Sequence, residues 1–191
     1  GHRETVQVLL QAGAMVDWAD SDGMTALMCA AQNGHTAAAN ALLQASTNVD
    51  LFQPDGWTAL MWAARKGHTA TLQVLLHAGA KIDLANLDGM TALMEAARNG
   101  HTAALQALLQ ARAKVDQCDA EGQTALMYAA HYGHTATLQA LLQARAKVDQ
   151  ATAAGVTALM WAAQYGDTAA VQALLHAGAK VDQADSDDEA A

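Results

Sequence analysis

Residues 89–100 read Gly89-Met90-Thr91-Ala92-Leu93-Met94-Glu95-Ala96-Ala97-Arg98-Asn99-Gly100. The pattern Gly-x-Thr-Ala-Leu-Met-x-Ala-Ala-x-x-Gly also opens at Gly23, Gly56, Gly122 and Gly155, so that with Gly89 the series steps by 33 residues. A second series, Gly1, Gly34, Gly67, Gly100, Gly133 and Gly166, keeps the same interval. A fixed period of this length marks an array of small supersecondary units and has to be read before any single helix. Counting slots from one at Asp20, complete units run 20–52, 53–85, 86–118, 119–151 and 152–184, within an array proper of 19–184. A partial unit carrying only its second helix is expected over 1–18, and an acidic tail over 185–191. With half a unit at the start, no initiator Met and no polar end unit, the array reads as a portion of a longer protein or one with trimmed ends.

Each unit carries two helical signals. Slots 6 to 14, as in Thr25 to Asn33, place Leu27, Ala30 and Ala31 at helical spacing behind a Thr suited to N-capping. After Gly34 and His35, Thr36 is expected to cap a longer second helix, whose apolar slots follow the i, i+3, i+4 rule in Leu72, Leu75 and Leu76. The stretch Asn86-Leu87-Asp88-Gly89 then favours a tight turn, giving a hairpin-like finger between successive helix pairs.

These residues resemble the ankyrin repeat: Asp20-x-x-Gly23-x-Thr25-x-Leu27, Gly34-His35, Leu42-Leu43 and Ala78-Gly79-Ala80 match its pattern, over about nine tenths of the chain. The resemblance implies an all-α ankyrin solenoid of paired antiparallel helices, with short β-hairpin-like fingers projecting at right angles and a concave groove that binds partners. The chain departs from the family in reading Thr-Ala-Leu-Met for Thr-Pro-Leu-His, which puts Met28, Met61, Met94, Met127 and Met160 in the place of a polar His. Losing Pro costs little at a helix start, and Met is suited to filling gaps between stacked helices. The Gly after the second helix, kept at Gly13, Gly79 and Gly178, becomes Ser46, Arg112 and Arg145 elsewhere. A left-handed backbone there would cost on the order of 1 kcal/mol at each.

Comparison of units within the chain locates what varies. Units three and four differ at nine of 33 slots: Asn86/Asp119, Leu87/Ala120, Asp88/Glu121, Met90/Gln123, Glu95/Tyr128, Arg98/His131, Asn99/Tyr132, Ala104/Thr137 and Cys118/Ala151. Five lie in the finger, three on the first helix and one on the second. At about 100° per residue, slots 10, 13 and 14 of the first helix fall opposite the apolar slots 8, 11 and 12. The variable slots are therefore expected to face water, sharing one surface with the fingers. Six of the eight aromatic residues map to it, namely Trp57, Trp62, Tyr128, Tyr132, Trp161 and Tyr165, while Trp18 and Phe52 do not. Arg65, Lys66, Glu95, Arg98 and His131 join them. Trp, Tyr and Arg are the types enriched at binding hot spots, so these eleven residues are the expected partner-binding set. Packing of the aromatics against neighbouring fingers is the alternative.

Composition narrows the classes of function. At 52% hydrophobic residues the chain has too much apolar material for disorder. Ten Lys and Arg against nineteen Asp and Glu give a net charge of -9, which repels phosphate backbones and anionic lipid. No nucleic acid and no membrane are expected as partners, since no apolar run reaches the roughly 18 residues of a membrane span. Two cysteines, Cys29 and Cys118, build no disulfide framework, which fits a reducing, cytoplasmic compartment.

Chemistry-bearing residues are few. His2, His35, His68, His101 and His134 recur with the period, at a separation too large for successive members to share one metal ion, and read as structural. His131 and His134 lie three apart without an evident third ligand. Asp20-x-Asp22-Gly23 is similar to a calcium loop, but Trp18 and Cys29 stand at its ligand positions. Ser21, Ser46 and Ser186 lack a triad context, and Cys29 lacks a basic neighbour to lower its pKa. No cofactor is expected. The sequence reads as a non-catalytic module holding a protein or peptide across its groove. The alternatives are an engineered or selected scaffold, whose library would also confine variation, and an array associating end to end through Val6, Leu9 and Leu10.

Overall fold

The computed structural model describes residues 2–181, without the side chain of His2; Gly1 and the acidic tail of 185–191 lie outside the described residues. Eleven helices are found among the described residues: α1 (His2–Gln11), α2 (Ala26–Gln32), α3 (Thr36–Gln44), α4 (Ala59–Lys66), α5 (Thr69–His77), α6 (Ala92–Arg98), α7 (Thr102–Gln110), α8 (Ala125–His131), α9 (Thr135–Gln143), α10 (Ala158–Gln164) and α11 (Thr168–His176). The even-numbered helices stack on one another, as do the odd-numbered ones, and each even helix packs on the odd helix that follows it. This is the all-α ankyrin solenoid the sequence predicts. Helices of seven to ten residues are too short to persist alone, so stacking supplies their stability.

The first helix of each pair starts on Thr25, Thr58, Thr91, Thr124 or Thr157, whose side chain accepts a hydrogen bond from the Met backbone N–H three residues on. The Met side chain is then carried inward: Met28, Met61, Met94 and Met127 are buried beside Leu72, Leu75, Leu105 and Leu108. Fully burying such a side chain is worth about 1.5–3 kcal/mol.

The expectation for the second helix is corrected. Thr36 is the first residue of α3, and the capping position belongs to His35, which makes no capping hydrogen bond with its side chain. His68, His101 and His134 hold the same position in α5, α7 and α9. The slot-17 hydroxyls are drawn elsewhere: Thr36 bonds Thr71 and Thr102 bonds Thr137, both at 2.8 Å across neighbouring units. Thr71 and Thr137 are buried, and these bonds satisfy their hydroxyls. Only α11 has a side-chain cap among these second helices, Asp167, which accepts from the Ala170 N–H and from the Thr135 hydroxyl.

The imidazoles tie units together. Nε2 of His68, His101 and His134 lies 3.2, 3.1 and 3.1 Å from the carbonyl oxygens of Gln32, Arg65 and Arg98 in the preceding unit. Their rings press on Gly34, Gly67 and Gly100, where a Cβ would come within 2.6 Å or less of Nδ1. The fingers are closed by single antiparallel bridges such as Ala85 to Thr91, with no longer strand among the described residues. They are laced by a carboxylate ladder in which Asp50, Asp83, Asp116 and Asp149 accept from the backbone N–H of Lys81, Lys114, Lys147 and Lys180 at 2.8–2.9 Å.

Candidate functional site

The last turns of α4, α6, α8 and α10, with the fingers before them, form one wall of the solenoid. On α4, Trp62 Nε1 donates to Gln53 Oε1 at 2.8 Å, and the Gln53 amide donates to the Asp22 carbonyl at 3.1 Å. Trp57 lies against Trp62 with ring centroids 4.6 Å apart. The Arg65 guanidinium rests over both rings, at 5.1 and 5.8 Å. Stacking of this kind holds a planar cation in place while leaving its N–H edge available.

Arg98 repeats the device one unit on, 5.9 Å from the Tyr128 ring and 5.6 Å from the Tyr132 ring. The Tyr128 hydroxyl donates to Asp119 Oδ2, while Asp119 Oδ1 accepts from the N–H groups of Glu121 and Gln123 at 2.9 and 2.8 Å. Burial and this carboxylate partner together push the Tyr128 phenol far above its usual range. Between the two arginines sits Glu95, 2% exposed. Burial raises its pKa against the pull of Arg65, Arg98 and the Asn99 amide. Beside Arg98 a cleft of about 350 Å³ opens toward the fingers, with Asp88, Glu121 and Tyr132 in its lining.

The wall continues as an aromatic shelf. The His131 ring lies 4.6 Å from Tyr132, 4.2 Å from Trp161 and 5.0 Å from Tyr165, and Trp161 and Tyr165 are stacked at 6.1 Å. The Tyr165 hydroxyl is 3.4 Å from His131 Nε2. Burial, then the charge of Arg98, lowers the His131 pKa, so the ring is neutral near pH 7. Trp161 Nε1 is buried and has no hydrogen-bond partner among the described residues. The acceptor that Gln53 provides for Trp62 is missing because Thr152 stands in that slot and accepts from the Val156 N–H.

Of the eleven residues predicted to bind a partner, ten are connected: Trp57, Trp62 and Arg65 by ring contacts, Glu95 by the fields of both arginines, and Arg98, Tyr128, His131, Tyr132, Trp161 and Tyr165 by ring contacts again. Lys66 is exposed at the end of α4. Their accessibility differs from the expectation. Arg65, Arg98, Tyr132 and Tyr165 are exposed, and Trp62, His131 and Trp161 are half-buried. Trp57, Glu95 and Tyr128 are 8%, 2% and 9% exposed, so they form the floor and not a water-facing surface. For Tyr128 the physical reason is the pairing of slot 10 with slot 1 of the same finger, its hydroxyl bonding Asp119 as Trp62 bonds Gln53, which draws the finger over the helix. Residue-type matching between slots nine apart was the available signal. Trp18 and Phe52 are 67% and 68% exposed.

The wall holds little reactive chemistry. Among the described residues no group of three or more His, Cys, Asp or Glu is placed to hold a metal ion. His134 is committed to the Arg98 carbonyl, apart from the shelf around His131. Cys29 is exposed, but burial of its sulfur and the charge of Asp20 raise its pKa, the opposite of a thiol prepared for attack. No helix among the described residues is long and apolar enough to cross a membrane.

A family model described as ankyrin repeats (3 copies) matches residues 1–86, 46–119 and 93–185. No curated protein sequence matches the chain. Ankyrin repeats are generally protein–protein interaction modules and typically non-catalytic. With the period, both helices, the fingers and the family model in agreement over nearly the whole length, the chain belongs to the ankyrin repeat family.

Proposed function

We propose that this chain is a non-catalytic binding module that holds a protein or peptide along the wall built by Arg65, Lys66, Arg98, Tyr132 and Tyr165 over the half-buried Trp62, His131 and Trp161. The observation that carries the reading is two groups of stacked rings and guanidinium groups, one on Arg65 and one from Arg98 to Tyr165, lying on either side of Glu95 across four consecutive units with Arg65, Arg98, Tyr132 and Tyr165 open to solvent. Trp, Tyr and Arg in a partly desolvated setting are where binding energy concentrates. Trp57, Glu95 and Tyr128 support this surface from beneath. A net charge of -9 favours a protein partner over nucleic acid.

The test is a display selection of random peptides on the full chain, followed by dissociation constants for the Tyr132→Ala/Tyr165→Ala variant. Both side chains are exposed, at 43% and 53%, so the variant keeps its fold and its melting temperature. Binding weakened by tenfold or more is expected. Selected peptides that bind the variant as well as the parent would assign the partner to another face.

A further inference from the structure

Cations are scarce in this chain, ten against nineteen acids, yet Arg65, Lys66 and Arg98 fall together on the wall. Neither arginine forms an ion pair among the described residues, in contrast to Lys81, which lies 3.8 Å from Asp50. Each guanidinium lies over an aromatic pair. A guanidinium has five donors, so both keep N–H groups for an incoming acceptor. The one acid between them, Glu95, is 2% exposed and pairs with neither at ion-pair distance among the described residues.

Spacing adds a second constraint. Arg65 and Arg98 occupy the same slot of neighbouring units, whose helices stack at about 8–10 Å. A polyproline-II-like peptide turns once in three residues and rises about 3.1 Å per residue, so side chains three apart project alike at about 9 Å. Two units beyond Arg98 the wall presents the Trp161–Tyr165 shelf, with His131 of the unit between lying against both rings. On the finger side, the exposed acids Asp88 and Glu121 line the cleft and Asp55 is exposed on the finger before them, and they turn away a continuous acidic run.

Resting on the groove reading above, we propose that the occupant is an extended peptide with two carboxylates three residues apart, one on Arg65 and one on Arg98, followed about six residues later by a bulky apolar side chain on the Trp161–Tyr165 shelf. The isolated acids meet the arginines, and the residues between them face the acidic fingers and carry no negative charge. Lys66 adds long-range attraction beside the first carboxylate.

The probe is a random dodecapeptide display library selected on the full chain, with dissociation constants of the enriched peptides then measured on Arg65→Gln, Arg98→Gln and Tyr132→Ala/Tyr165→Ala. Enrichment of Asp or Glu pairs at i and i+3, ahead of an aromatic or large aliphatic residue, is expected. Each arginine variant should weaken those peptides about tenfold, and the affinity should fall as salt rises. Enriched peptides that are neutral or basic, or that depend on the tyrosines and not on the arginines, would overturn this proposal and leave the groove reading standing. Peptides indifferent to all three variants, or no enrichment at all, would overturn both. Circular dichroism of each variant separates loss of contact from loss of fold.

Discussion

Replacing Ser46, Arg112 and Arg145 by Gly should stabilise the solenoid. These three residues have φ of 63°, 69° and 63°, in the slot where Gly13, Gly79 and Gly178 have 85°, 87° and 93°. A left-handed backbone costs a residue with a Cβ about 1–2 kcal/mol, and Gly removes that cost. Against it stands the greater freedom Gly gives the unfolded chain, about 0.4–1 kcal/mol, leaving a net gain of about 0.5–1 kcal/mol per site. Little else changes, because all three side chains are exposed and the local bonds are made by backbone: Ser46 N–H to Leu43 at 3.1 Å, Arg112 to Leu109 at 3.0 Å and Arg145 to Leu142 at 2.9 Å. The sites are at least one full unit apart and share no partner, so the triple variant should gain about 2 kcal/mol. In a chain of this size that raises the melting temperature by about 4–8 °C. Gly79→Ala is the mirror experiment: a Cβ there meets nothing within 4 Å, so conformation alone should destabilise it by about 1 kcal/mol. Urea unfolding followed at 222 nm, with an unchanged m-value, measures both. A triple variant no more stable than the parent, beside a Gly79→Ala variant that costs nothing, would refute the reasoning.

Thr152→Gln should give Trp161 Nε1 the acceptor that Gln53 gives Trp62, a gain of about 0.5–1 kcal/mol in urea unfolding over Thr152→Ala; equal stability of the two would contradict it. Glu95 has a raised pKa, so the folded state holds its proton more tightly than the unfolded chain, and stability is lost as pH rises through the folded value. Glu95→Gln should therefore be the more stable protein at about pH 8, with the difference closing toward about pH 4; a gap that widens on acidification would show the sign to be wrong. Asp167 is shifted the other way by its bonds to the Ala170 N–H and the Thr135 hydroxyl, so its contribution is present above the unfolded carboxylate range and lost as pH falls through the folded value. Asp167→Ala should cost about 0.5–2 kcal/mol at neutral pH and less in acid, as thermal melts at the two extremes would report.

What could be read from the sequence follows from the range of each interaction. The Thr caps of the first helices and the buried Met and Leu rows act within about ten residues, and a helical wheel exposes them. The Thr36 misreading has the opposite origin, because its hydroxyl is taken by Thr71, 35 residues away in the next unit. The Asp50 to Lys81 backbone bond and the His101 to Arg65 carbonyl bond span 31 and 36 residues. A backbone partner leaves no mark on residue type, so neither could be inferred from composition or period. The burial of Glu95 and Tyr128 escaped for a related reason: the wheel places slot 10 away from the helix core but does not contain the finger that closes over it. Arg98, Tyr132 and Tyr165, near the ends of their helices and beyond the finger's reach, are exposed as the wheel predicts.

The central claim is that the ring and guanidinium wall is where another macromolecule docks. Its most direct measurement is the dissociation constant of a display-selected peptide for the parent chain and for an Arg98→Ala/Tyr132→Ala/Tyr165→Ala variant, with melting temperatures recorded alongside. All three side chains are exposed, unlike Trp62 and Trp161, whose removal would also unpack the core. The account predicts a loss of affinity of about a hundredfold or more, with melting temperatures within a few degrees of each other. Equal affinities in two equally stable proteins would contradict it.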